Sequence, residues 1–193
     1  MITLLLLGVL VATAGLFYRD GLWSALVAVA NVLFAATLAT AWYEWPAGLL
    51  EQSLPSVGSY ADFLCIWLLF AAILAAAGEA TIRVSRTRVM FPGHVDRFGA
   101  PIAGLIAGWI MVCFTALTLH LAPVTRDLIQ PTPESRVVLG FAPDRTWANF
   151  MRHATRRGPF SSPGEDEANV FDKGEDFVVR HADRRKKLEG GSP

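Results

Sequence analysis

The sequence predicts an all-α multi-pass membrane protein. It has about four transmembrane helices, the first short or re-entrant, and a C-terminal tail of low regular structure. Three observations carry this reading. The 193 residues are 53% hydrophobic with a mean hydropathy of +0.39, high for a soluble domain. Apolar runs near the length that crosses a bilayer, about 20 residues, alternate with short polar turns. Charge is segregated: of the 17 Lys and Arg residues only five, all Arg, precede Pro123. The composition boundary at Pro123 divides the chain into a transmembrane domain, 1–123, and an extramembrane tail, 124–193, extended or partly disordered. The formal net charge is zero, so no global field draws the chain to nucleic acid.

Met1 to Phe17 is apolar from its second residue. It lacks the basic start of a signal peptide, and another apolar run follows at once, so a retained membrane segment is expected. Sixteen residues from Ile2 to Phe17 rise about 24 Å against a hydrocarbon core of about 30 Å, which leaves full crossing or re-entry open. Gly8, Ala12 and Gly15 form its small-residue face. Tyr18-Arg19-Asp20-Gly21 is a polar turn.

Gly21 to Tyr43 is the second span. Asn31, Ala35 and Ala39 share a stripe, and an amide deep in lipid seeks a partner on a neighbouring helix. Trp42, Tyr43 and Trp45 form an interfacial aromatic belt. Glu44 to Ser59 contains no Lys or Arg, and Trp45, Leu49, Leu50 and Leu54 make the apolar face of a short interfacial helix. Tyr60 to Ile82 is the third span. Glu79 stands four residues before Arg83, a favourable helical pairing order, so an interfacial ion pair is expected there in preference to a proton carrier.

The fourth span, Gly99 to Ala122, carries no charge. Val95-Asp96-Arg97-Phe98-Gly99 opens it. Asp96 is suited to a helix start, where it meets free N–H groups and the positive end of the macrodipole. Arg97 can reach lipid headgroups, and Pro101 is expected in the first turn. Ala100, Gly104 and Gly108 recur at four-residue spacing and allow another helix close approach. His120 is expected as an interfacial histidine, since no His, Cys or carboxylate accompanies it at helical spacing. Cys65 and Cys113 lie in apolar runs and are expected as buried free thiols.

The tail holds short apolar clusters: Val137 to Phe141 as a short strand, and Thr146 to Thr155, with Trp147, Phe150 and Met151, at helical spacing. Ser161 to Glu167 has linker composition. Arg184-Arg185-Lys186-Lys187 suits anionic headgroups better than nucleic acid.

By the positive-inside rule, the turns at Arg19 and at Arg83–Arg97 face the cytoplasm, which puts both termini on the extracytoplasmic side. No Gly-x-Ser-x-Gly, metal-spaced His pair or phosphate-cradling glycine loop occurs. No catalytic, cofactor-binding or metal residue is therefore assigned, and the chain is expected to be non-enzymatic and to need no cofactor. The expected partners are membrane lipids, with a homo-oligomer or an envelope protein partner left open, and no nucleic acid.

The order of a short first span, the turn Tyr18-Arg19-Asp20-Gly21, two further spans, and Asp96-Arg97-Phe98-Gly99 opening a glycine-bearing last span resembles the CvpA family, the colicin V production proteins of bacterial inner membranes. The likeness covers roughly Ile2 to Pro123. Gly99 stands two residues after Arg97, and Ala100 holds the more usual glycine place. The last span has Ala107-Gly108 where the family commonly has Arg before Gly. Trp23-Ser24 stands where a second basic residue often follows the first turn. The resemblance implies a small inner-membrane protein linked to toxin production and envelope homeostasis. In some related chains a similar region is joined to an extracytoplasmic serine protease, in keeping with the orientation above. Scaffolding is the expected role, and a small transporter or channel subunit acting as an oligomer is the alternative.

Overall fold

A computed structural model describes residues 2–18, 21–54, 58–84, 89–122, 140–157, 171, 172 and 177. They form six helices: α1 Ile2–Tyr18, α2 Gly21–Trp42, α3 Glu44–Ser53, α4 Gly58–Val84, α5 Gly93–Leu119 and α6 Pro143–Arg157. No β-strand occurs among the described residues. The chain is an all-α multi-pass membrane protein. α2, α4 from Tyr60, and α5 are long and apolar enough to cross a bilayer, and α1 is apolar but shorter. Arg19, Arg86, Arg88, Val137–Leu139, Ser161–Glu167 and Arg184–Lys187 lie outside the described residues, as does the turn around Asp20.

α5 is the axis. It runs antiparallel to α1 and parallel to α2, packing on both along its length, and α6 covers its C-terminal end. α4 packs on α2 and α3 and reaches α5 chiefly through aromatic side chains. The main core gathers Ala35, Ala36 and Ala39 of α2, Ile66 and Phe70 of α4, Phe114 and Leu117 of α5, and Trp147 and Met151 of α6. Phe114 is fully buried at its centre, with ring centroids 4.8 Å from Phe70, 5.4 Å from Trp67 and 6.0 Å from Trp147. Three alanines on α2 let these large rings fill the space between helices, the large-against-small pairing that dense interiors require.

Several boundaries differ from the sequence reading, each for a local reason. α5 begins at Gly93, one and a half turns before Gly99, because Pro92 takes the N-cap with extended backbone (φ −53°, ψ 139°). Pro101 therefore lies inside the helix, where it removes the bond to the Arg97 carbonyl. Tyr43 is not part of an exposed belt. It is 2% exposed and faces the core, while Trp42 and Trp45 face outward. The small face of α1 is also turned out: Gly8, Ala12 and Gly15 are exposed, and no neighbour approaches either glycine. Close approach at this interface is supplied from α5, so α1 has no need of its own glycines there.

In the tail, the helical spacing over Thr146–Thr155 is realised as α6, three residues longer at its start and two at its end. Gly140 and Phe141 form a turn and an isolated bridge. α6 buries Trp147, Ala148, Met151 and Ala154 on one stripe, the spacing of an amphipathic helix laid on a core. Arg152 holds Asp172 at 3.1 Å, and the Phe177 N–H donates to Asp172 Oδ1 at 2.8 Å, which brings Phe171 and Phe177 onto the same core.

Candidate functional site

The polar side chains singled out in the sequence fall at the two ends of the bundle and between α2 and α4. At the first end, Asp96 sits in the first turn of α5, where the macrodipole favours it. Its carboxylate caps a different helix from its own: the N–H of Leu22, at the start of α2, donates to Asp96 Oδ1 at 2.7 Å. Gly21 beside it has φ +82°, a left-handed backbone that glycine adopts without strain. A Cβ there would also stand 3.3 Å from Asp96 Oδ1. One carboxylate thus ties the starts of α2 and α5 and holds them at the same end of the bundle. Arg97 itself is exposed. Gly99 faces Leu22, whose side-chain methyls would lie 2.8 and 2.9 Å from an added Cβ.

Along α5 the small residues serve two neighbours. Ala100, with Ala103, packs on Leu22 and Ala25 of α2. Gly104 and Gly108 meet α1, where an added Cβ would stand 3.1 Å from the Ala14 carbonyl oxygen and 3.0 Å from that of Leu10. Here two backbones nearly touch, and dispersion between them replaces the hydrophobic drive that lipid does not supply.

Between α2 and α4, Thr81 Oγ1 donates to Asn31 Oδ1 at 3.3 Å, and to its own helix at the Ala77 carbonyl at 2.7 Å. One hydroxyl proton serves both, so the interhelical branch is the weaker. Glu79 pairs with Arg83 at 2.8 Å, both well exposed. The two thiols, Cys65 and Cys113, are free and buried.

The other end holds the most enclosed ion pair among the described residues. His120, at the C-cap of α5, lies 3.0 Å through Nε2 from Asp144 Oδ2 of α6, each residue 3% exposed. Next to this pair along α6, Trp147 Nε1 donates to Thr40 Oγ1 of α2 at 3.1 Å. Burial by itself pushes Asp144 up. The hydrogen bond from His120 and its charge, with the N–H and guanidinium of Arg145, outweigh that and hold the carboxyl below the ordinary carboxylate value. His120 is therefore a buried residue with a carboxylate partner. Sequence reasoning missed Asp144 because it lies 24 residues away and no spacing rule connects them. The signal at hand was the helical spacing that begins beside it, at Thr146.

A family model described as colicin V production protein matches residues 2–143. The chain belongs to the colicin V production protein family. The match covers α1 to α5 and runs to the first residue of α6, past Pro123. No curated protein and no solved structure matches the chain. Membership in the colicin V production family supports involvement in colicin V production. Asp96, Asn31, His120 and Trp147 each join one helix to another, and Glu79 with Arg83 closes a single helical turn. Among the described residues no three His, Cys, Asp or Glu side chains converge as metal ligands would.

Proposed function

We propose that this member of the colicin V production family is a non-enzymatic scaffold of the bacterial inner membrane, serving toxin production or envelope homeostasis by holding partner proteins at the membrane. The observation that carries the reading is how the polar side chains are used. Asp96, Asn31, His120 and Thr40 are engaged in helix-to-helix bonds, the arrangement of a rigid platform. A permeation path instead sets ionisable groups facing one another near the midplane. The arginine-bearing end faces the cytoplasm by the positive-inside rule, with α6 and both termini on the extracytoplasmic side.

The test uses photo-crosslinking in cells from the outward face of α6, at Asn149, and from the outward face of α4, at Ala76. A discrete crosslinked protein from either position, matched by loss of toxin export or envelope integrity when that face is altered, supports the scaffold. Ion or solute flux in liposomes carrying the pure protein, abolished by Asn31→Ala, would replace it with the transport reading. Reporter fusions after Ser59, Val89 and Pro193 test the orientation, with Val89 alone expected inside.

A further inference from the structure

α2 and α3 are almost one helix. The Tyr43 N–H donates to the Ala39 carbonyl and the Ala47 N–H to the Tyr43 carbonyl, both at 3.1 Å, so bonding continues across the junction. Pro46 interrupts it, since it has no N–H to give the Trp42 carbonyl one turn back. At this bend the surface holds a groove of about 600 Å³ lined by Ala41, Trp42, Glu44, Trp45, Pro46 and Leu69. That volume lies in the range of small-ligand sites. Ala41, Pro46 and Leu69 give it apolar walls. Trp42 and Trp45 stand 63% and 76% exposed, where indoles settle at headgroup level. Its one charged group is the Glu44 carboxylate, an acceptor, and no Lys or Arg occurs from Trp42 to Leu54.

We propose that this groove is a binding site for one phospholipid with a primary-amine headgroup, phosphatidylethanolamine. Its ammonium sits against Glu44 and the two indoles, and an acyl chain lies along Ala41 and Leu69. Charge complementarity selects the headgroup. A primary ammonium carries three N–H donors for the Glu44 carboxylate, and its charge is attracted to the indole faces. A choline headgroup has the charge without the donors. Phosphatidylglycerol has hydroxyl donors but no positive charge, and its net negative charge opposes Glu44.

The full-length protein is reconstituted in phosphatidylcholine vesicles carrying equal mole fractions of chain-brominated phosphatidylethanolamine or phosphatidylglycerol. The chain has six tryptophans, so the quenching lost in a Trp42→Phe, Trp45→Phe double variant reports lipid at these two indoles. The ethanolamine lipid is expected to be enriched about threefold over the glycerol lipid, the size of one exposed cation contact. Glu44→Gln removes that preference and leaves quenching by brominated phosphatidylcholine unchanged. Equal quenching by the two lipids in the unaltered protein overturns the proposal, as does a preference that survives Glu44→Gln. Native mass spectra from mild detergent need no variant: a retained ethanolamine lipid is expected, and its absence when glycerol lipid is retained also overturns the site.

Discussion

His120 Nε2 and Asp144 Oδ2 stand 3.0 Å apart, joining the last turn of a membrane-spanning helix to the first turn of a helix from the tail. Removing one partner leaves the other buried without its counterpart, which costs about 3 kcal/mol. Asp144→Ala is therefore expected to lower the thermal midpoint in detergent and to expose α6 to protease. Asp144→Asn keeps an acceptor and is expected to lose less. Equal midpoints for all three proteins would show that the pair does not hold α6.

The same carboxylate sets an acid limit. Its folded value is depressed, so the stability it contributes is fully present above the unfolded value, about 3.9. That contribution is lost as pH falls through the lower folded value. Protease protection of α6 is expected to be constant from neutral pH to about pH 4 and to fall below it. Asp144→Asn should remove that fall.

The α1–α5 contact predicts an order among glycine substitutions. Gly108→Ala puts a Cβ 3.0 Å from the Leu10 carbonyl oxygen, a backbone atom, whereas Gly99→Ala meets only side-chain methyls of Leu22. Overpacking of backbone costs about 1–3 kcal/mol, so Gly108→Ala should destabilise clearly and Gly99→Ala less. Gly78→Ala, with no neighbour within 4 Å, is the control and should be neutral or stabilising. Denaturation in mixed micelles ranks the three.

At the opposite end, Asp96→Ala removes the acceptor for the Leu22 N–H. A lost helix cap costs about 1 kcal/mol. Hydrogen exchange at the first turn of α2 should rise in this variant and remain low in Asp96→Asn. Unchanged exchange in Asp96→Ala would mean that the N–H is satisfied elsewhere.

Two other polar groups should cost little. Glu79→Gln breaks an exposed pair, of a kind worth about 0–1 kcal/mol. Asn31→Ala removes the weaker branch of a shared hydroxyl, near 0.6 kcal/mol on average for bonds of this type in membranes. Thermal midpoints close to the unaltered protein are expected for both.

The long spans were legible because lipid imposes long apolar runs, and Tyr60–Ile82 falls within two residues of α4 at each end. Gly104 and Gly108 were legible as a packing face because only small residues allow two backbones to meet. Which helix they meet was not, since a glycine pattern names no partner. Asp96 was recognisable as a capping residue, yet the cap it makes is on α2, a relation between residues 74 apart. The docking of α6 was hidden for the same reason. Trp147 and Met151 mark a helix with an apolar stripe, and nothing in their spacing says that the stripe lies on Phe114 and Ala36.

The first helix leans on the last membrane helix far more than on its immediate successor. During synthesis its partner emerges only some eighty residues later, after α2, α3 and α4 have been made. Until then the face that receives Gly104 and Gly108 is covered by acyl chains. Insertion alone does not complete the bundle, because its closing step is the exchange of lipid for α5.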